Sequence, residues 1–126
     1  MGTMDHANYA KHYETARWEL FRSINVPYDQ IEESVVMYPV ISMKFKFIKT
    51  TSYDELLTIK TRLKVIKGVR MSFQYQTYNT QNELINDSET DLAFEGMDNW
   101  RPCPPPDFLL EAIRKNSIPK DTQQIK

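Results

Sequence analysis

Asp5, His6 and Glu14 are the residues at the head of this chain whose types suit acid, base or carbonyl chemistry, and a helical pattern runs through the stretch that holds them. Asn8 is a reasonable N-cap, its side-chain oxygen accepting from an amide one turn on, and the free amides near His6 to Tyr9 then form a partial positive pole that draws negative charge. Taken alone, His6 ends a turn beside the helix, and Asp5 is a turn or capping acid. Glu14 is by the same reading a solvated helix-face carboxylate or a partner of Lys11 or Arg17. A second group is cationic: Lys67 and Arg70 flank Gly68, and Arg101 begins a proline-rich segment. Each suits a phosphate, and each is equally a surface charge that keeps the protein soluble. Cys103 is the single cysteine, which excludes an intramolecular disulfide and a cysteine-rich zinc site, and no metal is expected.

These groups need elements to hold them. Tyr9, Tyr13, Ala16, Leu20 and Ile24 recur at spacings of three and four, with Trp18 and Phe21 widening the stripe, so one amphipathic helix is predicted up to about Asn25, where Val26-Pro27 breaks the pattern. At that spacing Tyr9 and Tyr13 read as core aromatics. Tyr28 to Ser34 adds a short turn of helix, and then the period changes to two. Val40 to Ile48 alternates Met43, Phe45 and Phe47 with Lys44 and Lys46. Leu57 to Val65 alternates apolar residues with Lys60, Arg62 and Lys64, and Lys67-Gly68 turns the chain into Met71, Phe73, Tyr75 and Thr77. After a turn at Asn79 to Asn82, a strand from Leu84 to Phe94 sets Ile85, Asp87, Glu89 and Asp91 against Asn86, Ser88, Thr90, Leu92 and Phe94. Gly96 to Pro106 is irregular, Asp107 caps a short helix of about Phe108 to Lys115, and residues 116–126 read as a flexible tail. The order is α+β: one domain over residues 1–115, an antiparallel sheet of at least four strands curved around one long helix.

Composition narrows the function classes. A chain of 126 residues with 40% hydrophobic content supports a real core in a single domain. A net charge of −1 gives no global attraction to nucleic acid or to an anionic membrane. A nucleic-acid face built on Lys44, Lys46, Lys60, Arg62 and Lys64 is a weak reading, because Asp87, Glu89 and Asp91 neutralise it across the sheet. No segment approaches transmembrane length and no signal peptide is evident, so a cytoplasmic protein is expected.

The ordered set of motifs resembles the hot-dog-fold acyl-CoA thioesterases, in the 4-hydroxybenzoyl-CoA thioesterase or YbgC-like branch. Gly2 to Tyr9 is similar to that family's D-x-x-G-x-x-x-H-x-N-Y signature from its glycine onward, and Glu14, Ala16 and Arg17 to the E-x-A-R element of its central helix. Phe47-Ile48-Lys49 followed by Tyr53-Asp54-Glu55-Leu56-Leu57 resembles its second-strand exit and Y-[GD]-[DE]-x-L turn, and Trp100-Arg101-Pro102 its R-P-x-x-x-P segment. There are departures: the family's catalytic Asp would fall three residues before Gly2, ahead of Met1, together with the family's first strand. Pro104 also stands where relatives carry a second basic residue.

The resemblance implies an acyl-CoA thioesterase, with water directed by a carboxylate, or the carboxylate itself, attacking the thioester carbonyl. The amide of His6 would hold the oxyanion and its imidazole would donate to the carbonyl or orient water. Glu14 is the reserve carboxylate, since a second branch of these enzymes carries its acid on the central helix, and Asp5 lies beside the site. Asn8, Tyr9 and Tyr13 would line it, while Lys67, Arg70 and Arg101 would meet the phosphates of coenzyme A. Coenzyme A enters as part of the substrate, and no cofactor is implied. A homodimer or homotetramer is implied too, because one copy leaves a sheet edge and a helix flank open. The alternative is a non-catalytic hot-dog module that binds an acyl group or a protein partner, and with the chain starting at Met1 hydrolysis is expected to be low.

Overall fold

The computed structural model describes residues 6–26, 36–37, 39–50, 55–116 and 121–125. Asp5 and the Tyr28 to Ser34 turn lie outside them. Helix α1 runs His6–Ser23. Helical hydrogen bonding thus begins two residues before Asn8, which stands inside the first turn and not at the non-helical N-cap position expected of it. At the other end Asn25 takes a left-handed φ of 64°, Val26 N–H donates to Phe21 C=O at 2.9 Å and Asn25 N–H to Arg22 C=O at 3.1 Å. Those two bonds make a Schellman stop with Val26 buried beside Phe21, so an asparagine turn ends the helix before Pro27 is reached.

Among the described residues seven strands follow: β1 (Val36–Met37), β2 (Val40–Phe47), β3 (Leu57–Lys67), β4 (Arg70–Tyr78), β5 (Leu84–Ala93), β6 (Glu95–Gly96) and β7 (Asp121–Ile125). The main sheet is antiparallel in the order β2-β5-β4-β3-β7, and β1 pairs with β6 beside it. Helix α2 (Asp107–Asn116) lies between β6 and β7 in sequence. Its first turn hangs on the Pro106 carbonyl, which accepts from Leu109 and Leu110, so Asp107 is the first helical residue and not the cap. β7 also corrects the flexible tail. Leu57 to Thr61 of β3 pair with Ile125 to Asp121, since the edge of β3 offers unpaired backbone groups that a polar strand can satisfy.

The helical stripe is the centre of the core. Tyr9, Tyr13, Ala16, Leu20, Phe21 and Ile24 are buried against Ile59, Met71, Phe73, Tyr75, Leu92 and Phe94. Tyr13 stacks on Tyr75 with centroids 4.4 Å apart, and Phe21 meets Phe73 edge to face at 5.7 Å. Tyr9 touches Phe47 at 5.5 Å, so α1 starts at the end of the sheet where β2 finishes and runs toward the end where β2 begins.

Two expectations about strand faces shift. Phe47 is 44% exposed although its alternation marks it as core, because β2 is an edge strand that α1 covers on one side only. Ile85 is buried, not on the acidic face: the β4–β5 register slips between Thr77 and Tyr78, and the extra residue turns it inward. The acidic face is otherwise wet and internally satisfied. Lys64 pairs with Glu89, Gln74 donates to Asp87, and hydroxyls of Ser72 and Ser42 donate to Asp91, holding that carboxyl below the usual carboxylate range.

Candidate active site

The head of α1 carries the amides that the sequence singles out. The N–H groups of the first turn of α1, from His6 onward, lie at the positive end of the helix dipole. Asn8 is exposed on this first turn, and Glu14 is exposed two turns further on. Arg17, the expected partner of Glu14, points elsewhere. It is only 7% exposed, and its Nη1 donates to the Tyr75 hydroxyl at 3.0 Å.

Tyr9 and Tyr13 are core aromatics, as their spacing indicates, and together they form a ladder. From the exposed ring of Phe47 the contacts run to Tyr9, then to Tyr13 at 5.7 Å and on to Tyr75. An apolar wall therefore adjoins the head of the helix. Behind it lies a polar seam. The Tyr13 hydroxyl donates to Asn86 Oδ1 at 2.8 Å and accepts from Thr77 Oγ1 at 2.7 Å, while Ser88 also donates to Asn86. Tyr75 and Thr90 hydroxyls stand 2.7 Å apart beside Arg17. Burial pushes the Tyr13 and Tyr75 phenols above their ordinary range, with Arg17 opposing the shift at Tyr75. Asn86 Nδ2 and Thr61 Oγ1 are buried and lack a hydrogen-bond partner. Sequence reasoning did not find this seam, though a signal for it was present: Asn86, Ser88 and Thr90 share a strand face with Leu92 and Phe94.

The cations assemble at the other end of the sheet. Lys67 and Arg70 are exposed cross-strand partners around the Gly68-Val69 turn. Phe94 N–H donates to Val69 C=O at 2.8 Å and Cys103 N–H to Phe94 C=O at 2.9 Å, which ties the exposed Arg101 segment to that turn. The structure thus brings Lys67, Arg70 and Arg101 to one end and leaves the α1 amides at the opposite one. The strands between them have 9 to 11 residues. At about 3.3 Å per residue they separate the two groups by roughly 30 Å. A cavity of about 360 Å³, lined by Ile24, Asn25, Phe108, Glu111, Ala112 and Lys115, opens near the tail of α1, also away from its head.

Over 88 residues the chain is 27% identical to the acyl-CoA thioester hydrolase YbgC of Escherichia coli, a match that covers 70% of this chain and 66% of that protein, just under two thirds of its length. It is 28% identical over 120 residues to the acyl-CoA thioesterase YbgC of Helicobacter pylori, covering 89% and 88%. Among solved structures, a DHNA-CoA thioesterase from Staphylococcus aureus superposes with a TM-score of 0.83 at 26% identity, over 93% of this chain and 80% of that one. The shared architecture, an antiparallel sheet packed on one long helix, is the hot-dog fold. The profile of the thioesterase-like superfamily matches residues 1–113, and the chain belongs to that family.

Proposed function

We propose that this protein hydrolyses acyl-CoA thioesters to a free acid and coenzyme A. The observation that carries the reading is the amino-terminal pole of α1, set against the aromatic wall of Phe47, Tyr9 and Tyr13, in a chain of the thioesterase-like superfamily. A thioester carbonyl placed there meets N–H donors aimed at the oxygen on which negative charge develops, and one such donor contributes about 2.7–4 kcal/mol to the transition state. The His6 imidazole donates to the same oxygen or orients the attacking water. Asp5, next to the pole, is a carboxylate able to direct that water. Glu14 stands eight residues from His6, about 12 Å along the axis, and so acts on this site only from a second copy. The reaction calls for coenzyme A as part of the substrate and for no cofactor.

A second copy also resolves the separation of the cations from the amides. β2 is an edge strand with Val40, Ile41 and Phe47 exposed along it, an edge that natural sheets leave uncovered only at the risk of aggregation. Antiparallel pairing of two β2 strands sets Val40 of one copy beside Phe47 of the other, and so brings the partner's cationic end alongside the head of α1. The coenzyme A phosphates then meet cations of one subunit while the carbonyl meets amides of the other. We read the protein as a homodimer on this ground, able to stack into a homotetramer. No helix among the described residues is long and apolar enough to cross a membrane, and we place the protein in the cytoplasm.

The test is release of free thiol from straight-chain and aromatic acyl-CoA thioesters. His6→Ala is expected to lower kcat by about a hundredfold, the low end for a positioned acid or base. Phe47→Asp, at the edge, is expected to give a monomer by sedimentation that has lost turnover. Binding of acyl-CoA without thiol release would turn the reading to a non-catalytic acyl-binding module.

A further inference from the structure

We infer that Trp100 is a stacking platform for the adenine of the coenzyme A handle; the inference rests on the acyl-CoA reading above. Trp100 is 69% exposed, more than any other large hydrophobic residue described. Its φ is +58°, while the other left-handed positions are held by Asn25, Asn82 and Gly68, residue types that tolerate it. A bulky aromatic in this region is strained, and it is also denied burial. Strain of this kind persists only where the surroundings impose it, and it concentrates at ligand-binding sites.

The surroundings here do impose it. Trp100 N–H donates to Gly96 C=O at 2.9 Å, Gly96 N–H to Arg101 C=O at 3.0 Å, and Arg101 N–H to Asn99 Oδ1 at 3.0 Å, while Glu95 bridges to Pro102. A Cβ at Gly96 would stand 2.9 Å from Asn99 Oδ1, so it would have to displace the side chain that caps Arg101 N–H. The indole is therefore presented by a built turn, and its neighbours indicate what it takes. Arg101 is adjacent, and the Phe94–Val69 bond fixes Lys67 and Arg70 to the same end of the sheet. Glu95 and Asp98 lie in the same segment, and Asp91, held down mainly by the Ser72 hydroxyl, is also close enough to Arg70 to be lowered by it, so the cations are local contacts and not a net positive field. A flat π-face beside positive charge fits a nucleobase that carries phosphates. Apart from Trp100, Met97 is the one large hydrophobic residue exposed within this turn among those described.

The probe is adenosine 3′,5′-bisphosphate, titrated against tryptophan fluorescence. The chain has two tryptophans, and the Trp100→Phe variant isolates the background from Trp18. Quenching that is present in the parent protein and absent in Trp100→Phe is expected. Trp100→Gly suits the left-handed φ, so it keeps the turn and removes only the indole. It is expected to raise KM for an acyl-CoA about tenfold, as loss of one base–aromatic stack implies, with the effect confined to that substrate and absent for the N-acetylcysteamine thioester, which has no nucleotide. Trp100→Phe, which still stacks, is expected to restore KM to near the parent value. Unchanged fluorescence at saturating nucleotide overturns the inference, as does a Trp100→Gly effect equal on both thioesters or absent from both. If the parent protein hydrolyses neither thioester, the hydrolase reading falls, and the nucleotide titration still decides Trp100 by itself.

Discussion

Tyr13→Phe removes one oxygen from the polar seam between α1 and the sheet and leaves the rest of the side chain in place. The ring keeps its stack on Tyr75 at 4.4 Å, so the volume and the apolar contacts are conserved. What is lost is the hydrogen bond donated to Asn86 Oδ1 at 2.8 Å and the one accepted from Thr77 Oγ1 at 2.7 Å, all between side chains with no exposed surface. Asn86 Oδ1 retains Ser88 as a donor, whereas the Thr77 hydroxyl loses the one partner found for it. A buried polar group left unsatisfied costs about 1–3 kcal/mol, which places the variant near the middle of that range, at about 2 kcal/mol. For a domain of this size that is a fall in Tm of roughly 6–10 °C. Urea unfolding followed by circular dichroism measures it, with an unchanged m-value expected because the fold is the same. Thr77→Val alone breaks the same bond, so the double variant should lose less than the sum of the single losses, with a coupling of about 1 kcal/mol. A Tyr13→Phe protein within 0.5 kcal/mol of the parent, or strict additivity with Thr77→Val, would refute the seam as a source of stability.

Gly68→Ala tests the β3–β4 turn. Gly68 has a φ of +62° with nothing within 4 Å of a built Cβ, so its cost is backbone strain alone, about 1–2 kcal/mol, and a neutral result by urea unfolding would show that the turn relaxes freely. The buried phenols predict an alkaline limit. Tyr13 and Tyr75 keep their protons in the folded state to higher pH than in the unfolded chain, so stability is complete below the ordinary tyrosine value of 10.0 and declines as pH rises from there toward the raised folded values. Unfolding free energies between pH 8 and 11.5, alongside phenolate absorbance, should show this decline, and a flat profile would rule it out.

The helix was legible because its stripe obeys one period from Tyr9 to Ile24, and each of those positions is buried. Strand existence was legible from alternation, but alternation says nothing about where one residue is inserted, which is why Ile85 was assigned to the wrong face. Arg17 illustrates a further limit. Nothing in its local sequence distinguishes it from Lys11 or Arg22, and only the sheet opposite, with Tyr75 and Thr90, makes burial of a guanidinium tolerable. The place where the head of α1 begins was legible to within two residues, since helix ends are local. Its distance from Lys67, Arg70 and Arg101 was not, because strand order is a property of the whole chain.

The last strand has a bearing on how many copies can join. β7 occupies the edge of β3 from Leu57 to Thr61, and the remainder of that strand carries Arg62, Lys64 and Lys67, charges of the kind that keep an edge from recruiting another strand. β2 on the opposite side has no comparable guard, since Lys44 and Lys46 share it with exposed Val40, Ile41 and Phe47. β7 becomes the outer edge on that side, over five residues only, and a short edge strand is a poor template for another chain. In the dimer proposed above, pairing through β2 would use the less guarded of the two edges described, so the sheet would favour a closed pair over a fibre.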